Sequence, residues 1–225
     1  MTEAAVPPRE PLDLTPMPRD DYLEPYRRAS ESFGDNFRVT LWASQHTQVT
    51  RFEAFTEMFD FAGRRVLDAG CSRGDFLAHL LEIGIACAWY TGVDGVEQVI
   101  HQARDRGWPQ STFIHGDFVQ HPALLASGEP EVICFSGTLN TMTLRQTLGV
   151  LRSAWDATGE ALIFNFLSDL ATPQAAPQGY PAHRHDTHRL LAWATGCTGR
   201  VIYRQDYLPH GHDAAILMLK EQRRG

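Results

Sequence analysis

Three aspartates, Asp68, Asp94 and Asp117, stand 26 and 23 residues apart, each at or just past the end of a short stretch that reads as a β-strand. That interval is close to one strand-plus-helix repeat, so a parallel sheet would carry all three carboxylates to one rim. Like charges crowded on a desolvated edge are unfavourable without partners, which argues for a ligand that supplies them. The first of them opens Asp68-Ala69-Gly70-Cys71-Ser72-Arg73-Gly74, where two glycines bracket a turn that leads into an amphipathic segment. Gly70 and Gly74 let backbone approach backbone or ligand with no Cβ between them. A dinucleotide site would read G-x-G-x-x-G and seat a pyrophosphate on the following helix N-terminus. Here Ser72 stands between the glycines and an acid precedes the turn; a carboxylate repels pyrophosphate and attracts an ammonium or sulfonium. The competing reading is a strand–helix turn with no ligand.

In order and type these residues resemble the class I S-adenosylmethionine-dependent methyltransferases, whose loop reads D/E-x-G-x-G-x-G. Ser72 replaces the middle glycine, and the likeness runs from about Arg65 to Lys220. The resemblance implies S-adenosyl-L-methionine as cofactor and Asp68, Gly70, Cys71, Ser72 and Gly74 as its methionine-side loop. Asp94, closing Tyr-Thr-Gly-Val-Asp, would accept the ribose hydroxyls, with Gly95 and Val96 flanking the ribose and adenine edges. Asp117 would accept the adenine amino group, while the Phe118 amide donates to a ring nitrogen and the Phe118 ring packs. Asp68 would face the methionine ammonium, directly or through water. Ser136 and Gly137 would touch the methionine part, and Asn140 would contact substrate or simply shape a turn. For Asp94 and Asp117 the plain alternative is a cap on the following turn or helix.

The elements that must position these groups alternate strand and helix. Strands are expected at Val66–Ala69, Tyr90–Val93, Thr112–His115, Val132–Ser136 and Ala161–Leu167, with helices at Asp75–Ile83, Val96–Arg106 and Leu144–Trp155. Val132–Ser136 is continuously apolar, as a strand buried on both faces should be. Helix Thr187–Ala194 precedes strands Arg200–Tyr207 and Ala214–Leu219, joined across Pro209–Asp213 by a turn short enough for a hairpin. The fold class is α/β: a doubly wound, mostly parallel seven-stranded sheet with helices on both faces, its antiparallel C-terminal strand implied by the resemblance.

Ahead of this methyltransferase domain (64–225), residues 1–20 are too rich in proline for a helix or strand interior and read as a disordered lead-in. Residues 21–63 read as a helical cap, with a short helix over Asp20–Ser32 and a longer one within Leu41–Phe61, stopped by Gly63. In the second, Val49, Phe52, Phe55, Met58 and Phe59 recur at helical spacing and would form its inner face. Polar and aromatic groups from Gly34 to Gln45 could fold over the cofactor or serve as surface packing.

Composition narrows the partners. The chain has 225 residues and a formal net charge of −7, with no dense Lys/Arg block. Nucleic-acid affinity rests on cations that neutralise phosphate, so a small-molecule acceptor is expected and DNA or RNA is not. Cys71, Cys87, Cys134 and Cys197 form no C-x-x-C pair, and Cys87 and Cys134 read as buried hydrophobes. Neither a secretory signal nor a run long enough to cross a bilayer is present, which makes the cytoplasm the default compartment.

A general base is the least legible component. Ala182–Arg189 holds His183, His185 and His188 after a proline-rich stretch. A solvated loop, a substrate-facing base at His183 or His185, and a metal site all fit this pattern; H-x-H alone is a weak metal signal, and no metal is expected. Two other function classes stay open: a non-catalytic S-adenosylmethionine-binding or scaffold protein, and an NAD-dependent oxidoreductase. Asp68 and the missing third glycine count against the latter.

Overall fold

The computed structural model describes residues 22–34 and 36–221; the lead-in expected at 1–20 lies outside them. The cap consists of α1 (Glu24–Phe33) and α2 (Gln45–Met58), joined by a short turn of helix at Phe37–Thr40. The alternation that follows is β1 (Arg65–Ala69), α3 (Asp75–Glu82), β2 (Trp89–Asp94), α4 (Glu97–Asp105), β3 (Ser111–His115), β4 (Val132–Phe135), α5 (Leu144–Ala157), β5 (Ala161–Leu167), α6 (Thr187–Cys197), β6 (Val201–Arg204) and β7 (Asp213–Leu219). The strands form one sheet in the order β3-β2-β1-β4-β5-β7-β6. β1 to β5 pair in parallel, while β7 runs antiparallel between β5 and β6. The expected architecture is therefore the observed one.

Alternation along the strands divides the core in two. Leu67, Ile133, Phe135, Leu162, Phe164 and Ile216 pack with α5 and α6 on one face. Val66, Tyr90, Cys134, Ile163 and Leu217 pack with α2, α3 and α4 on the other. All seven residues of β5 are buried, Asn165 among its six apolar neighbours included. The order of strands reverses between the parallel β1 and β4, and ligands of open α/β sheets bind beyond the carboxyl ends of the strands at such a point.

Two expectations need correction. The inner stripe of α2 is Gln48, Arg51, Phe52 and Phe55, while Val49 faces outward and Met58 and Phe59 are half-buried. Phe52, Phe55, Met58 and Phe59 pack against the core as expected and Val49 does not, while Arg51 turns inward because it finds a buried carboxylate partner that hydrophobicity alone does not reveal. The helix also ends at Met58, with Phe59 extended, well before Gly63. The hairpin is looser than expected: β6 stops at Arg204, and residues 205–212 form a connection around Pro209–Gly211. Among the described residues no helix is long and apolar enough to cross a membrane.

Candidate functional site

The glycine loop after β1 is built on left-handed backbone. Gly70 has φ +82°, and a Cβ there would lie 2.3 Å from Thr138 Oγ1, so only glycine fits. Ser72, in place of the middle glycine, also takes positive φ, at 48°. Its amide nitrogen donates to Asp94 Oδ2 at 2.9 Å, and the Val96 amide donates to Asp94 Oδ1 at 2.9 Å. One carboxylate thus ties the end of β1 to the start of α4. Burial pushes the Asp94 carboxyl up from its ordinary value, and these amides oppose that push.

Beyond β1, β2 and β4 lies a pocket of about 580 Å³ lined by Gly70, Ser72, Asp94, Gly95, Val96, Phe118, Ser136 and Gly137. The structure thus gathers eight of the expected cofactor residues. Tyr22, Leu23, Tyr26, Val39, Thr40 and Trp42 close it from the cap. The Ser136 hydroxyl is buried without a hydrogen-bond partner. An orphaned donor in a pocket of this size, beside the Asp94 carboxylate, fits a polar nucleoside cofactor.

The remaining residues are placed differently. Asp68 is buried, accepts the Tyr90 hydroxyl and takes the Cys134 thiol at 3.6 Å. It lines a smaller adjoining cavity of about 260 Å³ with Cys71, Ser72 and Ser136. Burial raises its carboxyl to about 7, and burial with Asp94 and Asp68 nearby also raises the Cys71 thiol. Gly74 is the left-handed cap of α3 and lines neither cavity. Asp117 lines neither as well: its Oδ1 accepts the Tyr22 hydroxyl at 2.7 Å and the Val119 amide at 2.9 Å. The Phe118 ring packs edge-on against Phe135 at 5.9 Å between centroids.

A second pocket, of about 850 Å³, shares Tyr26, Thr40, Trp42 and Gly137 with the first. Arg51, Asn140, Tyr180 and His212 also line it. The Trp42 indole forms the partition: a Cβ on Gly137 would lie 2.3 Å from its ring, and the Arg51 guanidinium lies 4.5 Å from its centroid. Asn165, buried in β5, accepts the Gly137 amide at 2.6 Å and fixes this junction. Arg51, His212 and Asn165 were not singled out by sequence reasoning. The neighbouring His212-Asp213 pair and a polar residue inside the apolar run of β5 were the available signals.

Of the weak catalytic candidates, the two histidines stand apart from this junction and Asn140 borders it. Asn140 lines the second pocket, but its side chain accepts the Leu167 amide at 2.9 Å and shapes the turn after β4. His183 is exposed and lines neither pocket. His185 is buried, its Nε2 donating to the Leu139 carbonyl at 2.8 Å, and burial pushes it down to about 4. Such a histidine is neutral when folded, whereas the unfolded chain takes up a proton near its ordinary value. Stability should therefore fall as pH drops from about 6.5 to about 4. In urea denaturation, His185→Gln should lose less stability than the parent between pH 7 and pH 5; equal losses would refute this. Among the described residues no cluster of ligating side chains could hold a metal ion.

Comparison with known proteins agrees with this geometry. Residues 66–159 match the family model described as a methyltransferase domain. Magnesium protoporphyrin IX methyltransferase from Synechocystis PCC 6803, with bound SAH, superposes with a TM-score of 0.59 at 16% identity, covering 88% of this chain and 94% of that one. The CcbJ methyltransferase from Streptomyces caelestis gives 0.62 at 13% identity, covering 85% and 96%. Phosphoethanolamine N-methyltransferase 1 from Haemonchus contortus gives 0.66 at 13% identity, covering 89% of this chain and 48% of that one. No curated protein matches the sequence. The chain thus carries a methyltransferase domain at residues 66–159, set in a seven-stranded sheet whose fold it shares with these methyltransferase structures.

Proposed function

We propose that this protein transfers a methyl group from S-adenosylmethionine to a small-molecule acceptor seated in the second pocket. The observation that carries the reading is the meeting of two pockets at Gly137 and Trp42, one framed by the glycine loop and Asp94, the other by the cap and the loops after β5 and β6. Bound S-adenosylmethionine supplies a methyl carbon already activated by the sulfonium. The protein's share is then to align the two reactants and exclude water, and alignment alone can remove much of a bimolecular barrier. Asp94 would hold the ribose, Asp68 the methionine ammonium, and Ser136 with Gly137 the methionine tail. For Asp117 to take the adenine amino group, Tyr22 would have to share or yield its hydrogen bond.

Two similar structures bear the names of small-molecule acceptors, magnesium protoporphyrin IX and phosphoethanolamine. That, and the net charge of −7, favours a small molecule over nucleic acid.

Titration calorimetry with S-adenosylhomocysteine and, separately, NADH tests the cofactor reading; binding of NADH alone would overturn it. The same titration tests Asp68. Its carboxyl titrates near 7, so the charge that attracts an ammonium is absent below that pH and present above it. Affinity should therefore rise from pH 6 to pH 8 in the parent and stay flat in Asp68→Asn. A parent profile as flat as the variant's would remove Asp68 from the ammonium site.

A further inference from the structure

We infer that the acceptor arrives already ionised, as a carboxylate on a flat apolar body, and leaves as a methyl ester. The inference rests on the second pocket being the acceptor site. An amine, alcohol or phenol must shed a proton during transfer, and an enzyme acting on one gains from a base beside the nucleophile. No aspartate or glutamate lines this pocket among the described residues. Its titratable groups are Tyr26, Arg51, Tyr180 and His212. A guanidinium such as that of Arg51 is a donor with no acceptor to offer, and burial pushes the Tyr26 hydroxyl up to about 12.

His212 is the one side chain suited to take a proton, and its tautomer denies it that role. Arg184 Nη2 lies 3.2 Å from His212 Nδ1. A guanidinium only donates, so Nδ1 must accept, and in the neutral ring the hydrogen sits on Nε2. The lone pair is thus turned to Arg184, and the ring offers the pocket a donor. Burial, Arg184 and Arg51 all favour that neutral ring. Arg184 is itself held by the carbonyls of Ser168, Ala176 and His212, so the tautomer is fixed from behind.

Charge points the same way. Arg51 is matched by Asp213 at 2.9 Å. Arg184 contacts carbonyls and a ring nitrogen, with no carboxylate within ion-pair distance among the described residues. One unmatched positive charge behind a neutral donor suits a monoanion better than a phosphate dianion. Trp42, Leu41, Tyr180, Pro181 and Leu167 supply apolar walls for the rest of the molecule. The step balances without a base. A carboxylate oxygen forms the new bond to the methyl carbon as the carbon–sulfur bond breaks and its electron pair passes to sulfur. The negative and positive charges cancel, and no proton is released.

The test uses the full chain saturated with S-adenosylhomocysteine, whose binding is first established by itself, so that failure of the cofactor reading shows separately. Naphthoate, cinnamate and indole acetate are titrated beside their primary amides, and naphthoate beside naphthyl phosphate. At least one acid should bind about tenfold or more tighter than its amide and tighter than the phosphate. His212→Phe should cut that acid-to-amide ratio to about twofold, and His212→Gln, which retains a donor, should restore part of it. With S-adenosylmethionine present, methyl transfer to that acid should give an ester that mild alkali cleaves to methanol, with no proton uptake or release in weakly buffered solution. Equal binding of acids and amides, preference for the phosphate, failure of all three acids to bind, or methylation of amines or phenols in place of acids would each overturn the inference.

Discussion

Arg51→Met should destabilise the folded chain by about 3–5 kcal/mol, the usual cost of removing one partner from a buried ion pair. Arg51 and Asp213 are each almost wholly inaccessible, at 6% and 0% side-chain exposure, and their charged atoms meet at 2.9 Å. Asp213 also accepts the Tyr207 hydroxyl, and the guanidinium donates to the Thr47 carbonyl at 2.9 Å. Methionine fills similar volume but leaves the Asp213 carboxylate in a dry site with a single donor. Burial already pushes that carboxyl up, and Arg51 is the main force holding it down. In a chain of this size the loss amounts to a fall in melting temperature of roughly 6–20 °C. Arg51→Met/Asp213→Asn should recover part of it, because the uncompensated charge is gone. A single variant melting within 2 °C of the parent would show that the pair does not carry this weight. The bridge spans the cap helix α2 and the first residue of β7, so it also sets one wall of the second pocket.

Asp94→Ala should weaken S-adenosylhomocysteine binding by about 1–3 kcal/mol, roughly 5- to 150-fold in Kd. Two effects add. The ribose hydroxyls lose a charged acceptor, and the Ser72 and Val96 amides lose the carboxylate that organises the glycine loop. Asp94→Asn separates them: one amide oxygen remains as acceptor, so the loop keeps part of its tie while the charge is lost, and affinity should fall between parent and alanine variant. Titration calorimetry, with circular dichroism to confirm an intact fold, reads both. An unchanged dissociation constant in Asp94→Ala would remove this residue from the ribose site.

Much of this architecture is legible in one chain of letters because the governing rules are local. Val132–Phe135 is a continuous apolar run, Ala161–Leu167 is one interrupted only by Asn165, and both became strands buried on both faces. Asp68, Asp94 and the glycines between them follow the strand–turn–helix repeat, and both aspartates reached the carboxyl edge of the sheet. Partners distant in sequence were invisible. Nothing near Asp117 announced that Tyr22, 95 residues earlier, would take its oxygen, and nothing near Arg51 announced Asp213, 162 residues later. For the same reason the inner face of α2 was incomplete in expectation: periodicity finds the helix and its phenylalanines, but a charged residue is placed inward only by a partner from another element.

The sequence by itself determined the order of strands and helices, the glycine-loop corner and the acidic character of the sheet edge beyond β1 and β2, since each follows from spacing and backbone sterics over a few residues. Only the tertiary structure decided which side chains were already spoken for. Burial and through-space partners leave Asp94 and Ser136 lining the first pocket, turn His185 into a buried strut, and set His212 against Arg184, because hydrogen bonds are satisfied across the fold and not along the chain.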